Sequence, residues 1–436
     1  MKNKSTHFSH GLVEVIVALI LSCLSAIDGF AQVGTGVYVG GHIRRERPAT
    51  VEKLKNSGFT YVILFNINVE TDGSLTTDGE VVCRDGEYVF GTTQPHYVDD
   101  VKSLKTWPTG IQRVEICIGG WGNESYFRIK DLIEQQGTGE QSVLYRNFQA
   151  LKNALPEIDA VNNDDEHCYD LSSALAFHAM MWSLGYHTSL VPYTRKSFWN
   201  SLATQLNALC PGACDRVLVQ CYDGGAGNNP SDWKLDGLPV HAGRTNYQSD
   251  METSISQMQS WHDYNDVVGG FVWVYNDETW NLNAWASAMN RVFPSHETSS
   301  PVVTFYSKNN YEGYAVALPE GEFCTGELSV FGISDKDIAS YKLAEGFKFE
   351  AFETCDLTGS GKVFSDLEAP RMGAWAKRIL SLRVVPDGGD GVNSLETTET
   401  GVIAYYDLMG RHLQAPPRHG VYLLKKNNVI TKVLAE

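Results

Sequence analysis

Ile158-Asp159-Ala160-Val161-Asn162-Asn163-Asp164-Asp165-Glu166 places Asn162, Asp164 and Glu166 at intervals of two. Residues two apart on a β-strand point to one face. An amide and two carboxylates therefore leave one side of the segment, and the glutamate falls near the strand's C-terminal end. Parallel barrels and doubly wound sheets keep their chemistry at that end. Alone, the stretch also reads as an acidic surface turn, so the flanking chain has to decide.

Short apolar runs alternate with amphipathic helical patterns on both sides of it. Strands are predicted over Gly36–Gly41, Tyr61–Asn66, Val114–Gly119, Ile158–Asp164, His187–Val191, Val217–Tyr222, Leu238–His241 and Phe271–Tyr275. Helices are predicted over Ala49–Asn56, Tyr97–Lys105, a pair within Tyr126–Leu155, Leu171–Leu184, Ser197–Leu209, Met251–Tyr264 and Asn283–Val292. That rhythm and size suit a (β/α)8 TIM barrel, with Gly224–Asp236 read as a loop after the sixth strand. A Rossmann sheet would need a Gly-rich phosphate turn after its first strand, and Gly40-Gly41-His42 with Arg44 and Arg45 is not that fingerprint.

The chain of 436 residues is too long for one ordinary domain. Its formal net charge of -17 argues against nucleic acid or an anionic membrane as the main partner and fits a neutral ligand. Lys2 and Lys4, the short apolar run Leu12–Ala26 and the small residues Gly29 and Ala31 read as an export signal over 1–31, cleaved before Gln32. Cys23 stands in a poor lipobox. The expected location is periplasmic, cell-surface or extracellular, with possible cell-surface association and no transmembrane segment in the mature chain. Two polar stretches, Pro294–Pro301 and one opening at Pro386, divide the remainder. The expected parts are a barrel over 32–295, an all-β domain over 302–386, a linker over 387–400 and a β tail over 401–436. In an exported chain Cys210 with Cys214, and Cys324 with Cys355, are candidate disulfides. Cys117, Cys168 and Cys221 read as buried thiols. No cofactor and no metal ligand set is predicted.

In a barrel, inward side chains near the strands' C-terminal ends share one mouth. Asp164 and Glu166 would come from the fourth strand, Gln220 and Tyr222 from the sixth, and Trp273 from the eighth. Gly119 would end the third, and Tyr38 and Asn66 the first two. Carboxylates, amides and aromatics converging in this way compose a sugar site, because aromatic faces stack on pyranose rings while polar tips bind hydroxyls. Tyr222 and Trp273 would equally serve as core aromatics. Asp159 has the wrong parity for the mouth and should tie a helix or loop. Asp165 and His167 read as rim residues.

These residues resemble glycoside hydrolase family 18, which holds chitinases and endo-β-N-acetylglucosaminidases. The family's DxxDxDxE motif falls on Asp159, Asn162, Asp164 and Glu166, with Asn162 replacing the second aspartate. Gly119-Gly120 resembles its third-strand SxGG motif, with Cys117 at the serine. Tyr222 and Trp273 match its sixth- and eighth-strand aromatics. The Asp164-Asp165-Glu166 ending looks more like the endo-β-N-acetylglucosaminidase branch. The resemblance covers roughly 36–293. It implies that Glu166 protonates the leaving oxygen, Asp164 receives the acetamido N–H, Tyr222 positions the acetamido carbonyl and Trp273 floors the subsite. Asn162 could still donate a hydrogen bond to Asp164. Asn163 replaces an apolar residue facing the helices and needs a partner there. The implied partner is an N-acetylglucosamine-containing glycan, with the N-glycan core preferred, chitin as one alternative and a non-catalytic glycan-binding barrel as another.

The following region resembles βγ-crystallin domains. Tyr306–Gly313 fits their Greek-key signature, and Phe352–Gly359 repeats it with Leu357 as the second apolar residue. Such domains often bind calcium through an acid or amide pair and a Ser-Ser in each repeat. Here those runs are Asp335–Ser340 and Ala376–Ser381; each lacks the first serine, and Lys377 and Arg378 stand where anionic oxygen is wanted. Weak or no calcium binding is expected. The tail, with Tyr405-Tyr406-Asp407-Leu408-Met409-Gly410-Arg411 and Gly420-Val421-Tyr422, resembles sorting-type β-modules of secreted bacterial proteins.

Overall fold

A computed structural model describes residues 33–276, 280–295 and 301–387, together with the strands of the tail. The expected export signal with Cys23, residues 277–279 and 296–300, and 388–400 of the expected linker lie outside the described residues. Within them no helix is long and apolar enough to cross a membrane.

In chain order the strands begin with β1 (Gly34–Val39) and β2 (Tyr61–Leu64). A small sheet follows, made of β3 (Asn68–Val69), β4 (Leu75–Thr77), β5 (Glu80–Arg84) and β6 (Glu87–Tyr88). Then come β7 (Arg113–Gly119), β8 (Ile158–Asp164), β9 (His187–Leu190), β10 (Cys214–Gln220), β11 (Val240–Thr245) and β12 (Gly269–Tyr275). Strands β1, β2 and β7 to β12 close a parallel barrel in sequential order, β12 pairing with β1. Helices occupy most of the connections, several starting where the sequence supplies a cap. The side chains of Ser142, Asp170, Asp250 and Asn281 each accept a backbone N–H from the first turn, satisfying a donor the helix cannot.

Alternation within each strand sorts the side chains. Val161, Val217 and Val219 face outward into one core with Ile129, Phe177, Trp199 and Leu206 from the helices. Tyr38, Tyr61, Ile63, Cys117, Leu218, Tyr222 and Phe271 face inward into another. Asn163 is on the outward set, fully buried, and finds its partner: its amide meets His178 Nε2 at 2.8 Å. Burial pushes His178 down to about 3, so that ring stays neutral. Asp159 is tied to Lys105 Nζ at 2.7 Å and to the Val114 N–H at 2.9 Å, outside the mouth.

Three expectations need correction. The sheet β3–β6 is an insertion that pattern reading left unassigned; its strands of two to five residues are too short to show an alternation. The predicted loop after the sixth strand contains two 3-10 turns, Asp223–Gly225 and Pro230–Trp233. The eight cysteines outside Cys23 are free thiols. Cys214 is buried in the outer core, and the Cys324 thiol caps the helix Thr325–Val330. Burial pushes Cys221 up to about 12 and Cys168 up to about 11.

After the barrel, β13 (Val303–Tyr306), β14 (Ala315–Leu318), β15 (Gly321–Phe323), β16 (Ser340–Leu343), β17 (Phe347–Phe352), β18 (Lys362–Phe364), β19 (Glu368–Ala369) and β20 (Ser381–Pro386) form two four-stranded antiparallel sheets, ordered β14-β13-β16-β19 and β15-β20-β17-β18. Phe305, Tyr341, Phe349, Phe364 and Leu382 fill the space between them. Barrel and β domain form one compact unit. The helix Thr325–Val330 seats against the turns that lead into β2 and β7, the barrel end opposite the mouth. At Gly58, where φ is +91°, an added Cβ would lie 2.2 Å from Ser329 Cβ, so a side chain there would push the domains apart. The tail is a separate unit: β21 (Ile403–Tyr406), β22 (His412–Leu413), β23 (Gly420–Lys426) and β24 (Val429–Ala435) make an antiparallel sheet ordered β22-β21-β23-β24.

Candidate functional site

The mouth of the barrel holds a cleft of about 600 Å³. Asp164, Glu166, Gln220, Tyr222 and Trp273 line it, as the strand ends require. Gly120 of the Gly119-Gly120 motif and the following Trp121 join them, and Phe65, Tyr193, Asp223 and Gly224, which sequence reading did not single out, complete the wall. Trp121 is 86% exposed, so its indole presents an open face at the rim on which a sugar ring can stack.

The other predicted residues lie below or beside the cleft. Tyr38 is buried under it, with its ring 5.1 Å from that of Trp273. Asn162 is fully buried one layer down and accepts the Tyr38 hydroxyl at 2.7 Å. Its amide N–H groups go to Glu115 at 3.1 Å and Ser189 at 2.8 Å. The expected hydrogen bond from Asn162 to Asp164 is therefore replaced by bonds pointing down into the barrel. Gly119 ends β7, and an added Cβ would lie 2.1 Å from the Asp164 carbonyl oxygen. Asn66 stitches strand ends together, donating to the Gly119 carbonyl at 3.1 Å; Phe65 lines the cleft in its place. Asp165 is no rim residue. It is 3% exposed and accepts the N–H groups of His167, Cys168 and Tyr169, which fixes the turn carrying Glu166. His167 is exposed, and its Nε2 accepts the Gly122 N–H at 2.7 Å.

Two carboxyl groups in one confined space set the electrostatics. The Asp164 carboxylate accepts Gln220 Nε2 at 2.9 Å and, weakly, the Cys117 thiol at 4.0 Å. Burial first, then the charges of Glu166 and Asp165, push its pKa well up, against the lowering effect of Gln220. Glu166 is also pushed up by burial, opposed by Gln220, His167 and Tyr193. The pair therefore retains a proton where free carboxylic acids would have lost it. Such a pair can lend a proton to a leaving group and leave an anion beside the charge that develops.

The raised Asp164 pKa has a cost in stability. The native state holds this proton more tightly than the unfolded chain, so native stability falls as pH rises from the ordinary carboxyl range through the folded pKa. Asp164→Asn should therefore raise Tm at pH 7. The gain should shrink toward pH 4, where the unfolded chain also binds the proton. Thermal melts at the two pH values check this, and a variant less stable at pH 7 would refute it.

The β domain's fold family implies calcium, and the residues present do not fit it. The Lys377 ammonium stands between the Ser307 carbonyl, at 2.5 Å, and the Asp337 carboxylate. Arg378 pairs with Glu353. The retained serines are engaged by backbone: Ser340 donates to the Lys308 carbonyl at 2.7 Å, and Ser381 to the Thr354 carbonyl at 2.8 Å. Among the described residues no group of three or more His, Cys, Asp or Glu is placed to hold a metal ion. Millimolar calcium or excess chelator should shift Tm by less than about 1 °C, since a ligand stabilises only by binding the native state. A clear calcium-dependent rise in Tm would overturn that expectation.

No family model matches the chain. The development-specific protein S homolog of Myxococcus xanthus is 30% identical over 86 residues, which are 20% of this chain and 49% of that protein. The chain thus spans about half the length of the curated relative it matches. Among solved structures, the N-terminal domain of protein S is 24% identical, covering 20% of this chain and 96% of that one with a TM-score of 0.19. A βγ-crystallin domain from Flavobacterium johnsoniae is 24% identical, covering 20% and 98% with a TM-score of 0.20. A βγ-crystallin domain from Clostridium beijerinckii is 26% identical, covering 19% and 95% with a TM-score of 0.18. The chain contains a βγ-crystallin-like domain beside its closed parallel barrel.

Proposed function

We propose that the barrel is a TIM barrel of the family-18 type and that its cleft hydrolyses β-1,4 bonds next to N-acetylglucosamine with retention of configuration. The preferred substrate is the chitobiose core of N-linked glycans. One observation carries the reading: Asp164 and Glu166, two apart at the end of β8, reach one cleft with Gln220, Tyr222 and Trp273. Most retaining glycosidases need a carboxylate nucleophile as well as an acid, but in substrate-assisted enzymes the sugar's own N-acetyl oxygen attacks the anomeric carbon. Glu166 then gives its proton to the leaving oxygen and later takes one from the incoming water. Asp164 receives the acetamido N–H and balances the oxazolinium charge. Tyr222 holds the acetamido carbonyl for attack, and Trp273 floors the sugar.

Burial explains the division of labour between the acids. Asp164 is buried and Glu166 half-buried, and burial pushes both acids up. A bound acetamido N–H favours the Asp164 anion, and the shared proton then belongs to Glu166. The test is to incubate the wild type with high-mannose and complex glycoproteins and with chitin oligomers, and to identify the products. Released glycans ending in one N-acetylglucosamine support the N-glycan reading, and shortened chitin oligomers alone support a chitinase. Glycan binding with no turnover on any substrate would leave a binding barrel and end the enzymatic reading.

A further inference from the structure

The glycosidase reading leaves one buried carboxylate of the barrel interior without a part. Glu115 sits on β7, two residues before Cys117, and is fully buried. Its Oε1 accepts Arg113 Nε at 2.6 Å. Its Oε2 accepts the Ser189 hydroxyl at 2.5 Å and Asn162 Nδ2 at 3.1 Å. Arg113 also holds Asp215, at 2.5 and 3.0 Å, and Arg216 lies within 3.5 Å of that aspartate. Tyr61, Tyr38 and Cys117 are the remaining titratable groups whose fields Glu115 enters.

The consequence runs upward. An amide has donors on one side and an acceptor on the other, and its orientation follows the network around it. Turning Asn162 over would set its oxygen against the Glu115 carboxylate, acceptor to acceptor. Glu115 and Ser189 therefore keep the Asn162 N–H groups pointing down and Oδ1 pointing up, where it takes the Tyr38 proton at 2.7 Å. Tyr38 packs in the inward cluster with Cys117, whose thiol lies 4.0 Å from Asp164, and the Asp164 charge reaches the Tyr38 hydroxyl. With its proton committed to Asn162, Tyr38 gives none to Asp164. That leaves Asp164 with Gln220 as its hydrogen-bond donor and the weak Cys117 thiol 4.0 Å away.

We infer that Glu115 is a positioning residue: by fixing the Asn162 amide it keeps the Tyr38 proton away from Asp164, so that Asp164 meets the substrate's acetamido N–H as an under-satisfied acceptor. This rests on the glycosidase reading of the cleft. Asn162 carries no charge, so the carboxylate of this layer stands on the neighbouring strand, one hydrogen bond away.

Exchanging the two groups tests the idea. Glu115→Gln sets two amides face to face and frees Asn162 to turn over. Its kcat should fall by about 10- to 100-fold, with KM changed by less than about threefold. Asn162→Asp sets two carboxylates against each other and should also lose activity. The double variant Glu115→Gln/Asn162→Asp restores one carboxylate, one amide and an acceptor for Tyr38. It should recover kcat to within about fivefold of wild type, a strong non-additivity of the kind expected for groups in direct contact. Melting temperatures of all four proteins separate folding losses from kinetic ones. Undiminished kcat in Glu115→Gln, or a folded double variant no better than the worse single one, would overturn the role of Glu115 while leaving the glycosidase reading intact. A wild type silent on every glycan would remove the reaction, and the role with it.

Discussion

Glu166→Gln should lower kcat on the preferred glycan by roughly 10²- to 10⁴-fold, the usual worth of a positioned proton donor, with little change in KM and no loss of Tm. Glutamine keeps the shape of the side chain and can still face Gln220 and Tyr193, so the cleft should bind sugar as before. It cannot deliver a proton to the leaving oxygen. The other carboxylates nearby make poor substitutes. Asp165 is 3% exposed and spends its oxygens on three backbone N–H groups. Asp223 lines the wall but is exposed and already accepts the Tyr247 hydroxyl at 2.6 Å and the Gln248 amide at 2.5 Å. Steady-state kinetics with matched melting curves decide the matter. A folded Glu166→Gln with wild-type kcat would place the acid elsewhere and remove the basis for the roles given to Asp164 and Tyr222.

Period-two counting carried most of what could be read of the site. Ile158–Asp164 is the strand that the alternation predicts, and the same count along Val217–Tyr222 brings Gln220 and Tyr222 inward. Carried one step further, the same count reaches cleft residues beyond those named from sequence. Tyr61 and Ile63 face inward, so the next inward position is Phe65, not Asn66. Ser189 and Val191 likewise lead to Tyr193. Glu115 shares the inward parity of Cys117, and a charge at that position was a legible anomaly. Its partners were not legible, since Asn162, Ser189 and Arg113 meet it only once three strands lie side by side. Asp165 follows an inward carboxylate and precedes another, so nothing in the sequence marks it as a buried turn-former. The β insertion and the contact between domains depend on segments too short, or too far apart in sequence, for local pattern to register.

The helix Leu282–Val292 shows how a pattern can mislead, and it supports a large effect on stability. Asn283, Ser287, Asn290 and Arg291 recur at intervals of four, three and one, a stripe that reads as a solvent face. It faces backbone instead. Asn290 Nδ2 donates to the Gly58 carbonyl at 2.9 Å and to the Ser329 carbonyl at 2.6 Å, and its Oδ1 accepts the Thr35 hydroxyl at 2.6 Å. Arg291 donates to the Gly332 carbonyl at 2.6 Å and lies 4.1 Å from the centre of the Tyr314 ring. Asn290 thus joins β1, the approach to β2 and the β domain through one fully enclosed amide. Asn290→Leu keeps the volume but strands the Gly58 carbonyl and the Thr35 hydroxyl away from water, while the Ser329 carbonyl keeps the Gly332 N–H at 2.9 Å. Each unsatisfied group costs about 1–3 kcal/mol, less where a partner can relax, so a total loss of roughly 2–5 kcal/mol is expected. In a unit of this size that lowers Tm by roughly 3–7 °C. Because the amide is shared, barrel and β domain should still melt together in one transition. Glycan turnover per folded molecule, measured well below Tm, should be unchanged, since the cleft opens at the opposite end of the barrel. A Tm within about 2 °C of wild type would mean that water or a backbone shift replaces all three bonds, and that the β domain is held at the base by its other contacts, among them Arg291 to the Gly332 carbonyl and Ser329 to the Ser57 carbonyl.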